Sequence, residues 1–352
     1  MNLFCIHNQK KIIQKNLNLR LKNVFKSEQF ILGPNVDDLE TKLKNITKSK
    51  YCISTSSGTD ALLISLMSLG IKKGDEIITT ALTYVATVEV ILRVGAKPVF
   101  ADIKTQTGLI DENDIKKKIT KKTKAIIIVS LYGNIPNIKR IKKISKNIKI
   151  IEDAAQSFGS KIDNKFSCNL TDIGCTSFYP TKNLGCYGDG GAIFTNSKQL
   201  FEKLRLIRNH GEKEKYNTTI LGVCGRLDEI QAAVLNEKLK IFLKENNKRI
   251  KIGLKLNKIL SSCSLSTEKN TKISYNTFPI LVKNRDEVIK KLKKNKIQYN
   301  IYYPKPLHKQ KFLSDKVKLI NTEKFCKEII NLPCHPYLSD GYLKKIKKIF
   351  SE

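Results

Sequence analysis

The chain has 352 residues, 41% of them hydrophobic, with 65 Lys and Arg against 32 Asp and Glu and a formal net charge of +33. That length and apolar content predict a packed chain of about two domains and exclude a disordered polymer, and no uncharged apolar run reaches the length of a membrane span. So high a charge suggests nucleic acid, but arginine is scarce, the lysines spread along helix faces such as Lys116-Lys117-Lys118, and no helix-turn-helix, zinc-finger or RNA-binding signature occurs; a solvated basic surface without a nucleic-acid partner is expected.

The N-terminus opens without the apolar region and small-residue cleavage site of a signal peptide, and continues as charged, helix-like sequence. Short apolar runs then alternate with helical patterns. Strands are predicted at 51–55, 76–80, 97–102, 124–131, 149–153, 175–178 and 191–195. Helices are predicted at 60–69, 84–94, 111–119 and 137–146, with Gly70 and Gly95 as C-terminal stops. This alternation, with apolar strands, predicts an α/β fold whose mainly parallel sheet is covered on both faces. From residue 227 the pattern changes to long helices at 227–244 and 245–260, a strand-like stretch at 273–282, a helix at 286–295, and terminal helices at 321–330 and 340–350. The expected division is a large domain at 1–245 and a smaller α+β domain at 246–352.

Nine cysteines are scattered without a Cys-x-x-Cys pair, and no histidine lies among Cys168, Cys175 and Cys186. This predicts free thiols in a reducing cytoplasm and no metal site.

Ligands of such sheets sit beyond the carboxyl ends of the strands. Ser57, Asp153 and Lys182 all fall just after predicted strands, which places them on one rim. A carboxylate leaving an apolar strand, followed by a lysine in the turn Tyr179-Pro180-Thr181-Lys182-Asn183, suits a pyridoxal phosphate (PLP) enzyme. Lysine joins the aldehyde as a Schiff base, and the carboxylate keeps the pyridine nitrogen protonated. The small residues of Ser57-Gly58-Thr59, at a helix start, suit a phosphate cradle. Gln156 stands one turn beyond Asp153, within reach of the ring oxygen. Ser177 could bind phosphate, and Tyr84 could stack on the ring. Each has a plainer reading alone: Ser57, Thr59 and Asp153 as helix caps, Tyr84 as a core aromatic.

Together with Phe30-Ile31-Leu32-Gly33-Pro34, Gly74-Asp75-Glu76-Ile77-Ile78, Glu152-Asp153-Ala154-Ala155-Gln156, Arg226-Leu227-Asp228-Glu229-Ile230-Gln231 and Tyr303-Pro304-Lys305-Pro306-Leu307-His308, these residues carry a resemblance over almost the whole chain. It resembles the DegT family of sugar aminotransferases, a branch of the fold type I PLP-dependent transferases. The resemblance implies a large domain with a mostly parallel seven-stranded sheet and a small C-terminal domain. It implies Lys182 as the Schiff-base lysine, Asp153 as the pyridine partner, Gln156 at the ring oxygen, and Gly58, Thr59 and Ser177 at the phosphate, with Tyr84 stacked on the ring. Arg226, Tyr303 and His308 become candidate substrate contacts, with the Arg226 loop supplied by the other subunit of a homodimer.

Val129-Ser130-Leu131-Tyr132-Gly133 and Gly185-Cys186-Tyr187-Gly188-Asp189-Gly190-Gly191 resemble the WbpE-type branch. That branch aminates UDP-2-acetamido-2-deoxy-3-oxo-glucuronate at C3 with L-glutamate, for surface polysaccharide such as lipopolysaccharide. The alternative within the family is amination of a 4-keto-6-deoxy sugar nucleotide. Sugar dehydratases of the same fold carry histidine in place of the lysine, so Lys182 argues against them. Two positions depart from the pattern. Cys224 replaces an Asn that reaches the neighbour's cofactor phosphate, and a thiol is a poor amide substitute. Asn183 stands where the WbpE-type branch often has Pro.

Overall fold

The computed structural model describes residues 2–4, 6–313 and 317–351. Helices α1 (Ile6–Ser27) and α2 (Pro34–Thr47) precede the sheet. The sheet strands are β1 (Tyr51–Thr55), β2 (Glu76–Thr80), β3 (Lys97–Ala101), β4 (Thr123–Val129), β5 (Lys149–Asp153), β6 (Ile173–Ser177) and β7 (Gly191–Thr195). Their spatial order is β1-β7-β6-β5-β4-β2-β3. Only β7 runs antiparallel to its neighbours β1 and β6; the remaining pairings are parallel.

Alternation along the strands sends successive side chains to opposite faces. Ile53, Ile77, Ile127, Ile151 and Ile193 pack with α3 (Gly58–Ser68), α4 (Ala86–Arg93) and α7 (Lys198–Arg208). Ile78, Ile126, Ile128 and Ile150 pack on the other face with α5 (Glu112–Lys118) and α6 (Ile138–Ser145). Each fully buried isoleucine contributes roughly 2 kcal/mol of transfer free energy. Because the parallel strands share one direction, Thr55, Thr80, Val129, Asp153 and Ser177 end on one rim, with Asp153 in register beside Val129 and Cys175.

Two features differ from the sequence reading. The expected helices at 227–244 and 245–260 are a single helix, α8 (Glu229–Ile259), of 31 residues. Lys244-Glu245-Asn246-Asn247 contains neither Gly nor Pro, so nothing stops the helix there, and the expected boundary at 245/246 falls inside it. The helix expected at 321–330 ends earlier, as α10 (Ile320–Glu328). Ile329–Leu332 instead forms β9, paired antiparallel with β8 (Phe278–Leu281). Flanking β-branched residues and a waiting edge strand outweigh helix propensity there. The C-terminal half of α8, these two strands, α9 (Arg285–Lys294) and α11 (Asp340–Ser351) enclose a separate core that includes Leu256, Phe278, Leu292, Ile330 and Tyr342.

Candidate active site

A cavity of about 400 Å³ opens on the rim where β1, β4, β5 and β6 end. Gly58, Thr59, Tyr84, Asp153, Gln156, Ser177, Lys182 and Tyr303 all line it. The structure thus brings together these eight residues and Ser57, all singled out from sequence.

The floor is a carboxylate. Asp153 is 7% exposed. Its Oδ2 accepts a 2.8 Å bond from Thr87 Oγ1, and its Oδ1 accepts from the Ala155 amide at 3.2 Å. Burial raises its pKa, while the Thr87 and Ala155 bonds and the nearby Lys182 charge act the other way. Lys182 is half-buried, on a turn closed by its own amide donating to Tyr179 O at 2.8 Å. Burial lowers its pKa and Asp153 opposes that, so the amine is driven toward the neutral, nucleophilic form.

One wall is the N-terminus of α3. Ser57 caps it, its Oγ accepting from the Asp60 amide at 3.0 Å. The Gly58 and Thr59 amides have no acceptor among the described residues. A Cβ at Gly58 would stand 2.7 Å from Ser177 Cβ, so only glycine permits this approach of helix and strand end. Free amides at a positive helix end, a serine beside them, a lysine and a buried carboxylate that can accept from a protonated ring nitrogen are the groups that a phosphorylated pyridine aldehyde needs. The residues present fit pyridoxal phosphate.

Gln156 uses its Oε1 to accept from the Tyr132 amide at 2.8 Å, and Tyr303, whose hydroxyl pKa burial raises against the opposing influence of Gln156, lines the same cavity. Tyr84 is 61% exposed at the mouth, with its ring 6.4 Å from that of Tyr303.

Arg226 and His308 are not brought into this cavity. Arg226 donates to Asn209 Oδ1 at 2.7 Å and to Cys224 Sγ at 3.0 Å. The thiol that departs from the family pattern therefore accepts from the arginine. Its loop lies beside the cradle, since Gly225 O accepts from the Ser56 amide at 2.9 Å. His308 is 2% exposed, with Nε2 3.2 Å from Glu323 Oε1 and its ring beside Phe100.

The sequence reading missed Thr87, Thr181 and Asn276, which also line the cavity. Thr87 lies one helical turn after Tyr84, a spacing that could have placed it on the face turned toward Asp153. Asn276 comes from a stretch read as plain strand and carried no local signal.

The model of the DegT/DnrJ/EryC1/StrS aminotransferase family matches residues 11–351. The UDP-2-acetamido-2-deoxy-3-oxo-D-glucuronate aminotransferase of Pseudomonas aeruginosa is 42% identical over 347 residues, covering 97% of each chain. A DegT DnrJ EryC1 StrS aminotransferase from Brucella abortus superposes with a TM-score of 0.94 at 35% identity, covering 100% of this chain and 98% of that one. The NtdA structure from Bacillus subtilis, with bound cofactor PMP, superposes with a TM-score of 0.92 at 29% identity, covering 100% and 85%. The chain therefore belongs to the DegT/DnrJ/EryC1/StrS aminotransferase family and is a transaminase whose cofactor is pyridoxal 5'-phosphate.

Proposed function

We propose that the enzyme moves the amino group of L-glutamate to C3 of a 3-oxo sugar nucleotide, UDP-2-acetamido-2-deoxy-3-oxo-glucuronate, in the cytoplasm, for surface-polysaccharide synthesis. The observation that carries the assignment of chemistry is the meeting of Lys182, Asp153 and the α3 N-terminus in one cavity. The substrate rests on the likeness to the P. aeruginosa enzyme.

When bound, pyridoxal phosphate supplies an electron-withdrawing ring that accepts the charge left as the amino donor's C–H bond breaks. The amides of Gly58 and Thr59, with Ser177, would hold its phosphate. Asp153, drawn toward its ionised form by the Thr87 and Ala155 bonds, would hold a proton at the pyridine nitrogen. Lys182 Nζ would hold the aldehyde, and as a free amine would serve as the general base for the proton on the donor's α-carbon. Burial pushes the pKa of that nitrogen down, against the Asp153 charge, in the direction a general base needs. Glutamate would leave as 2-oxoglutarate, its keto oxygen supplied by water, and the nitrogen left behind would pass to the keto-sugar, whose carbonyl oxygen would depart as water.

Lys182 is the only basic side chain among the described residues lining the cavity. Glutamate brings two carboxylates and the sugar nucleotide a diphosphate, so further cations are needed. In this reading Arg226 of a second copy supplies one, which makes the working enzyme a homodimer.

Purified enzyme is given glutamate with either the 3-oxo-glucuronate nucleotide or a 4-keto-6-deoxy sugar nucleotide. The expected result is 2-oxoglutarate release and a C3 amine with the first alone. A C4 amine from the second, with no turnover of the first, overturns the substrate.

A further inference from the structure

Lys182 is carried on a turn gripped on both flanks by side chains from distant parts of the chain. On one side, Asn276 Nδ2 donates to Thr181 O at 3.1 Å and to Asn183 Oδ1 at 3.4 Å. Asn183, itself buried, donates to Ser274 O and Ser274 Oγ, each at 2.7 Å. The residue before the lysine and the residue after it are thus both tied to the segment that enters β8. On the other side, Lys238 of α8 donates from Nζ to Gly185 O at 2.5 Å. The same ammonium lies 4.4 Å over the Tyr187 ring.

Lys238 is an unusual residue to bury. It is 1% exposed, and its hydrogen bond goes to a peptide carbonyl rather than a carboxylate. Burial pulls its pKa down to about 8, with Cys186 and Glu245 opposing. Burying a cation this way is costly, and an apolar side chain of equal length would fill the space more cheaply. What the amine adds is the grip on Gly185 O. Gly185 closes the turn so tightly that a Cβ would stand 2.6 Å from Pro180 O and 2.7 Å from Tyr179 O. Cys186 continues the closure, its amide donating to Phe178 O at 2.7 Å.

We propose that Asn276 and Lys238 are positioning residues for Lys182, presetting the 181–185 turn so that its amine meets the cofactor in one orientation. The turn then needs no reordering when the aldehyde arrives, which is the condition for an effective nucleophile. The proposal rests on Lys182 being the cofactor lysine, and the experiment separates the two.

Wild-type holoenzyme is reduced with borohydride and peptide-mapped by mass spectrometry. The cofactor adduct is expected on Lys182; an adduct on another lysine overturns that assignment and the proposal with it. Holoenzymes of Asn276→Ala and Lys238→Met are then titrated with pH while the visible cofactor absorbance is followed, and their affinity for pyridoxal phosphate is measured. The absorbance midpoint is expected to move by about half a pH unit or more, with cofactor affinity about tenfold weaker. Asn236→Ala is the control. It removes a buried amide that donates to Asn35 O at 2.9 Å, outside the cavity lining, and is expected to leave both readouts unchanged. Unmoved midpoints in both test variants, or an equal shift in the control, overturn the proposal. If Lys238→Met fails to fold, Asn276→Ala decides alone.

Discussion

Thr87 Oγ1 donates a 2.8 Å hydrogen bond to Asp153 Oδ2 and so joins the first turn of α4 to the end of β5. Thr87→Val keeps the shape and removes the donor. A hydrogen bond to a buried charged acceptor is worth about 1.5–3 kcal/mol, so cofactor retention is expected to weaken by about 10- to 100-fold. Burial already raises the Asp153 pKa and the Thr87 bond opposes it. The defect therefore grows as pH falls and protons compete for the carboxylate. Spectrophotometric titration of apoenzyme with pyridoxal phosphate at two pH values checks this; an unchanged affinity removes Thr87 from the site.

Lys182→Ala is expected to lower transaminase turnover by about 10²–10⁴-fold or more, the scale of a general base, with the covalent attachment lost as well. Stability should not fall on account of the lost charge, because burial disfavours the charged lysine in the folded state. Release of 2-oxoglutarate and a thermal melt of the apoenzyme measure the two sides. A variant with full turnover would refute the role of Lys182.

Most of the α/β layering was legible because parallel strands buried on both faces, such as Ala125-Ile126-Ile127-Ile128, leave a continuous apolar run. Glycines at 70 and 95 punctuated the helices truly: both have positive φ, at 72° and 77°. The cavity-lining residues were legible because most stand at a strand end or helix start with a chemically suggestive side chain. Long-range partners were not. Asn276 meets Thr181 across 95 positions of sequence, and Lys238 meets Gly185 across 53. Nothing local marks either residue; an asparagine in a strand-like stretch and a lysine among many lysines look ordinary until the fold closes. The strand Ile329–Leu332 was hidden for the same reason, since its partner Phe278–Leu281 lies far back in the chain.

Gly58→Ala tests the cradle. The added Cβ would sit 2.7 Å from Ser177 Cβ and 3.2 Å from Ser177 Cα, so helix and strand end must part. Alanine is the better helix residue by about 1 kcal/mol, which offsets part of the strain in overall stability. Cofactor affinity has no such compensation and is expected to fall about tenfold or more. Equilibrium dialysis against pyridoxal phosphate gives the affinity. An alanine variant that binds as tightly as wild type would show that the close approach is packing alone.

His335 offers a pH test outside the site. Its Nε2 lies 3.1 Å from Asn2 O, and its Nδ1 accepts from the Tyr337 amide at 3.4 Å. Those roles belong to the neutral ring with the proton on Nε2. Burial, then the charge of Arg249, push its pKa from the ordinary 6.5 down to about 4, against the Asn2 bond. The folded pKa lies below the unfolded one, so the unfolded chain binds the extra proton between those values. The stabilisation is complete above about pH 6.5 and is lost as pH falls toward 4. Its size is on the order of 3 kcal/mol. His335→Gln keeps a polar side chain but cannot titrate there. Urea unfolding of both proteins at pH 7.5 and 5 should show a smaller drop for the variant, and equal drops would exclude His335 as the group responsible.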